Sequence, residues 1–139
     1  MSASRRVYAD TSALGALLLE RPETPALLEW LDASPHTLVS CDLLETELRR
    51  IAVREELDQA SVTALLDGIS LAALDRATFR NAGMLPLPTL RTLDALHLEA
   101  ALRLDSDALL TYDRRLAEAA AAMGLEVIAP GRVGSSAAM

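Results

Sequence analysis

The chain is predicted to fold as a three-layer α/β domain, with helices on both faces of a parallel central sheet of about five strands. Three observations predict this. Short apolar runs at residues 5–10, 37–41, 69–74, 108–112 and 125–129 have strand length. Segments with helical spacing alternate with them, and strands alternating with helices imply a parallel sheet covered on both sides. The length of 139 residues, 51% hydrophobic, is enough for one well-filled core. The expectation is one domain over residues 1–139, with a core of about 5–130 and a small, polar tail at 131–139 that is flexible.

Taken in order, residues 5–10 read as a buried strand and 11–20 as the helix after it. Pro22 and Pro25 punctuate a second helix over about 24–33, with Leu27, Leu28 and Leu31 on one side. His36 belongs to a connector into the strand at 37–41. A long helix follows from Asp42 to about Leu57, then another over 59–67. Residues 69–74 form a third strand and 76–84 a short helix. Pro86 and Pro88 mark a loop before a strong helix over about 92–104. The fourth strand is 108–112, the helix at 114–123 is stopped by Gly124, and 125–129 is the last strand.

Composition narrows the function. No apolar run reaches the roughly 18 residues that a membrane span needs, and the start of the chain carries no secretory signal pattern. A single cysteine, Cys41, cannot pair internally and fits a reducing cytoplasm, which is the expected location. The net charge of −7 argues against a general nucleic-acid binder, and 3% aromatics leaves no base-stacking platform. All 13 basic residues are arginine. Without lysine, every mechanism that needs a catalytic or phosphate-binding lysine is excluded.

Four acids stand where a carboxylate is locally expensive. Asp10 ends the run Val7-Tyr8-Ala9, and Asp113 ends the run 108–112; both directly precede a helix. Ligands of open α/β sheets bind just beyond the carboxyl ends of strands, but either acid also suits a helix N-cap. Asp42 and Glu45 have capping-box spacing, which gives Glu45 a structural role. Glu47 has none, and at about 100° per residue Leu43, Leu44 and Ile51 lie within about 60° of it. Its alternative is an ion pair with Arg50 or Arg54.

Asp94 is the clearest anomaly. On its helix Glu99 and Arg103 mark the polar arc, whereas Leu98 and Ala101 lie near Asp94 on the opposite side. A buried aspartate in a first turn can also be satisfied by backbone N–H groups and the helix dipole. His97 faces inward too, and suits a core histidine bonded to a carbonyl or an acid better than a metal ligand.

Several carboxylates with no cysteine cluster and little histidine make a hard oxygen site, suited to Mg²⁺ or Mn²⁺ rather than Zn²⁺. Such ions support phosphodiester hydrolysis by an activated water. Arg49, Arg50, Arg54, Arg114 and Arg115 are candidate phosphate contacts, or ordinary solvated helix faces.

The segments around Asp10 (Val-Tyr-Ala-Asp-Thr-Ser-Ala-Leu), Glu47 (Leu-Leu-Glu-Thr-Glu-Leu-Arg-Arg), Asp94 (Leu-Asp-Ala-Leu-His-Leu) and Asp113 (Leu-Thr-Tyr-Asp-Arg-Arg-Leu) together resemble the acidic motifs of PIN-domain ribonucleases. Length and motif order are similar to the VapC toxins of toxin–antitoxin pairs. The resemblance implies Asp10 and Asp94 as chief metal ligands, with Glu47 and Asp113 completing the acidic cluster. It also implies Ser12 and Thr111 as supporting hydroxyls, RNA as substrate, Mg²⁺ (or Mn²⁺) as cofactor, a homodimer, and a cognate VapB-like antitoxin.

Receiver and haloacid-dehalogenase phosphotransfer domains also build acidic pockets at strand ends, but they need a lysine, and the latter a second acid where this chain has Ser12. A flap-type DNA nuclease normally needs a larger chain. A PIN-like module that binds partners or RNA without cleavage, or a housekeeping RNA-processing nuclease, remains the alternative.

Overall fold

A computed structural model of the chain describes residues 4–33 and 35–132. The elements run β1 (Arg5–Ala9), α1 (Thr11–Leu18), α2 (Thr24–Ala33), β2 (His36–Cys41), α3 (Asp42–Arg54), α4 (Gln59–Leu66), β3 (Ser70–Ala72), α5 (Arg76–Gly83), α6 (Thr92–Arg103), β4 (Ala108–Leu110), α7 (Arg114–Ala122) and β5 (Glu126–Ile128). The tail expected to be flexible falls mostly on residues 133–139, outside those described. Among the described residues, no helix is long and apolar enough to cross a membrane.

The five strands make one all-parallel sheet in the order β3-β2-β1-β4-β5. β1 is central because its apolar residues can be covered on both faces. Val7 and Ala9 point to one face, with Ala108, Leu110 and Ile128. Tyr8 points to the other with Leu109, as the two-residue period of a strand requires. The first face is packed by Leu14 of α1, Leu27 of α2, Leu44 and Leu48 of α3 and Val62 of α4. The second is packed by Leu98 and Ala101 of α6 and Leu116 and Ala120 of α7, with α5 lying along α6. Fully burying each such leucine stabilises the fold by about 1.5–3 kcal/mol.

From β1 the chain winds outward to β2 and β3, then crosses back over to β4 and β5. The order therefore switches direction between β1 and β4, where a crevice opens beyond the carboxyl ends of both strands. Asp10 and residues 111–113 stand at that point.

Local chemistry shifts several predicted borders. β1 ends at Ala9, because Asp10 is already the N-cap of α1. α3 stops at Arg54, three residues early, where Glu56 enters the left-handed region (φ 56°) and the Leu57 N–H turns back to the Ala52 carbonyl. The expected capping box does not form. β2 runs directly into α3, so Cys41 occupies the cap position without a side-chain capping bond, Asp42 is already helical, and Glu45 reaches forward to Arg49 at 2.8 Å. Glu99 is also displaced from its predicted place on the polar arc and is only 8% exposed. α5 packs along α6, while Arg103, one turn further along the same arc, stays exposed.

Candidate active site

Asp10 fills both roles considered for it. As N-cap of α1, its Oδ1 accepts from the Ala13 N–H at 3.1 Å. Its oxygens also accept from Ser12 Oγ at 2.8 and 3.0 Å, and Oδ2 accepts from Thr111 Oγ1 at 2.7 Å. Thr111 Oγ1 in turn accepts the Asp113 N–H at 3.0 Å, and Ser12 Oγ accepts the Tyr112 N–H at 2.9 Å. Ser12 and Thr111 thus tie the end of β1 to the end of β4. Asp10 is buried, and burial raises its pKa against the opposing pull of the Thr111, Ser12 and Ala13 donors.

Asp113 caps α7, accepting the Leu116 N–H at 3.0 Å. Glu47 projects from α3 into the same crevice. Its Oε1 accepts from Thr11 Oγ1 at 2.6 Å and from His97 Nε2 at 2.6 Å. The alternative ion pair with Arg50 or Arg54 is absent: Arg54 pairs with Glu55. Burial tends to raise the Glu47 pKa, but the His97 and Thr11 hydrogen bonds outweigh it and hold the carboxyl below its usual range.

Asp94 lies in the first turn of α6, half-buried rather than buried as predicted. No backbone or side-chain donor among the described residues satisfies it, so of the alternative reading only the helix dipole of the first turn is left to stabilise its charge. Burial raises its pKa first and the Asp113 charge second, with Glu47 adding to the rise while His97 and Arg91 oppose it. Asp94, Asp113 and Glu47 therefore share one field of mutual repulsion.

His97 is a core histidine bonded to an acid, as expected. It is 2% exposed, with Nε2 on Glu47 and Nδ1 2.7 Å from the Tyr8 hydroxyl. Burial works against its charged form, yet the hydrogen bonds to Cys41 and Glu47 outweigh it and push the ring up to about 10.

The four acids are not drawn onto a single point. Among the described residues no three His, Cys, Asp or Glu side chains form a ready-made metal cluster. The reason is visible in the hydrogen bonds, since Asp10 and one oxygen of Glu47 are turned onto protein donors. The remaining donor set is nonetheless all carboxylate oxygen, and the unpaired, mutually repelling Asp94 is what a hard divalent cation would relieve. The residues fit such an ion.

A cleft of about 280 Å³ opens along α1, next to Asp10 in the chain, lined by Thr11, Ser12, Arg21, Glu23, Arg54 and Tyr112 among others. It admits Arg54 and the unforeseen Arg21 as cations next to the site. Arg49 is removed from the phosphate candidates, because it braces α3 to α4 through Glu45, Gln59 and Thr63. Thr11 and Tyr8 were also missed. A buried tyrosine hydroxyl needs a partner, and that requirement was the available signal for Tyr8.

The sequence matches the family model described as PIN domain over residues 7–122. Ribonuclease VapC35 of Mycobacterium tuberculosis (strain ATCC 25618 / H37Rv) is 40% identical over 136 residues, covering 91% of this chain and 98% of the relative. Ribonuclease VapC47 of the same species (strain CDC 1551 / Oshkosh) is 35% identical over 134 residues, with 91% and 98% covered. Among solved structures, VapC20 of M. tuberculosis, described as a Sarcin-Ricin loop cleaving toxin, superimposes with a TM-score of 0.70 at 13% identity, covering 81% of this chain and 94% of that one. A toxin–antitoxin complex from Klebsiella pneumoniae gives a TM-score of 0.61 at 20% identity, covering 77% and 86%.

Proposed function

Because this chain belongs to the PIN-domain family and is a VapC-like ribonuclease, we propose that it is the Mg²⁺-dependent endoribonuclease toxin of a toxin–antitoxin pair, with Asp10, Glu47, Asp94 and Asp113 as its acidic site. The observation that carries the site assignment is Asp94, a half-buried carboxylate with no donor among the described residues, which faces the charges of Asp113 and Glu47 near the sheet's switch point.

Asp94 and Glu47 Oε2, which no donor among the described residues engages, would hold the cation, with Asp10 and Asp113 completing the shell directly or through water. Bound there, Mg²⁺ or Mn²⁺ supplies Lewis acidity, meaning a nucleophilic water at neutral pH and charge neutralisation at the phosphate. Ser12 and Thr111 hold Asp10 in place while it does so. Arg21 and Arg54, lining the adjacent cleft, place the RNA backbone through its phosphates.

The partners follow from the same premise. The toxin–antitoxin complex among the structural neighbours supports an antitoxin partner; a VapB-like antitoxin would occlude the RNA groove. A homodimer is supported by the exposed Phe79 (53%), Met84 (65%) and Leu93 (48%) around an apolar cleft between α5 and α6. The site of action is the cytoplasm.

Purified protein incubated with total RNA, with and without Mg²⁺ or Mn²⁺, tests the activity beside Asp10→Asn and Asp94→Asn. Metal-dependent cleavage abolished by both, with unchanged circular dichroism, is the expected result. Cleavage that survives either substitution at full rate overturns it. A small neighbouring reading frame that suppresses growth arrest would separate a toxin from a housekeeping nuclease.

A further inference from the structure

Behind Glu47 lies a buried polar chain that the proposed chemistry does not use. Tyr8 is fully buried in the central strand, and its hydroxyl sits 3.1 Å from Cys41 Sγ and 2.7 Å from His97 Nδ1. The other ring nitrogen, Nε2, is 2.6 Å from Glu47 Oε1. A carboxylate can only accept, so Nε2 carries the hydrogen in that contact whether the ring is neutral or charged. Three elements contribute: Tyr8 from β1, Cys41 from the end of β2 and His97 from α6.

Both donors that reach Glu47, His97 and Thr11, converge on Oε1, and no protein donor among the described residues reaches Oε2. The carboxylate is therefore held by one oxygen and presents the other. Tyr8 and His97 are otherwise costly residues for this position, since two polar groups are buried in an apolar layer with Leu98 and Leu109. Satisfying them with each other and with Glu47 is what makes the arrangement stable.

From this geometry we infer that His97, itself fixed by Tyr8 and Cys41, is a positioning residue that orients Glu47 so that Oε2 is delivered to a divalent cation. The inference rests on the proposed nuclease reading, and it adds three residues to the apparatus that sets metal affinity. His97 acts through Glu47, and Tyr8 acts through His97; neither touches the cation.

The test is Mn²⁺ affinity of the full chain without RNA, measured by Mn²⁺ electron spin resonance, together with the thermal transition in metal-free buffer. His97→Leu is expected to weaken Mn²⁺ binding about 10–100-fold, the usual effect of removing a group that orients a ligand. His97→Gln, which restores an N–H donor toward Glu47, should recover most of it. Tyr8→Phe loses one oxygen atom from a position remote from Glu47, and should weaken binding severalfold even if His97→Leu fails to fold. Wild-type affinity in Tyr8→Phe, and in His97→Leu where that variant folds, would overturn the inference. If wild-type protein binds no Mn²⁺ and cuts no RNA, the nuclease proposal itself has failed; if it does both and the variants are unchanged, only the positioning role has.

Discussion

Replacing Asp10 by asparagine and by alanine should separate its chemical from its structural work. Alanine removes the cap of α1, costing about 1 kcal/mol. It also deprives Thr111 Oγ1 and Ser12 Oγ of their common acceptor; the two hydroxyls lie 3.2 Å apart and can pair with each other, leaving one stranded donor at about 1–3 kcal/mol. Relief of the buried charge offsets part of this, so a net loss of about 2–3 kcal/mol is expected. For a chain of 139 residues that is roughly 6–9 °C in Tm.

Asparagine should behave differently. Its Oδ1 keeps the Ala13 N–H and Ser12 Oγ, and its amide donates to Thr111 Oγ1. Thr111 still accepts the Asp113 N–H and turns its own hydrogen to Ser12 Oγ, which still accepts from Tyr112. The second amide N–H is left without a partner among these groups, at about 1–3 kcal/mol, while the buried charge disappears; the two offset each other, so Asp10→Asn should stay within about 3 °C of the wild-type Tm at pH 7. The sign against pH follows from the raised pKa of Asp10. A carboxyl raised in the native state makes the wild type lose stability as pH rises from the ordinary carboxylate value through the raised one. The Tm of Asp10→Asn relative to wild type should therefore fall as pH falls toward that ordinary value. Thermal melts by circular dichroism between pH 4 and about 7 in metal-free buffer measure this, with pH 4 taken as roughly the unfolded aspartate pKa. Asparagine destabilising as much as alanine at pH 7 would refute the reasoning.

Asp94→Asn should raise the Tm at neutral pH by removing a carboxylate that burial disfavours first and repulsion from Asp113 and Glu47 next, and calorimetry showing a lower Tm would contradict that origin of its raised pKa. Glu47→Gln should do the reverse. Its lowered pKa marks stability that is present above the ordinary carboxylate value and lost as pH falls through the native one, so its urea midpoint should sit below wild type at pH 7 and converge with it in acid.

Much of this was legible in the sequence because it depends on short-range periodicity. Val7 and Ala9 against Tyr8, and Ala108 and Leu110 against Leu109, declare a two-faced central strand pair. Asp10 and Asp113 declare themselves by ending those runs. Glu47 was separable from Glu45 by helix angle alone, although the reason assigned to Glu45 was wrong: a strand running into a helix without a loop leaves no room for Asp42 to cap. What stayed hidden depends on partners distant in the chain. Nothing near Glu99 says that α5 will pack along its helix, nothing near Thr11 says that its hydroxyl will turn to Glu47, and nothing near Arg49 says that α4 will claim it.

The bond between Asp10 and Thr111 spans 101 positions of the chain. During synthesis at about 5–20 residues per second, the ribosome delivers Asp10 early and must then add a hundred residues before the other wall of the crevice exists. Until β4 docks beside β1, Asp10 has no Thr111 and Asp94 has no Asp113 opposite it. The crevice is therefore completed only late in translation, once β4 has been made and has docked beside β1.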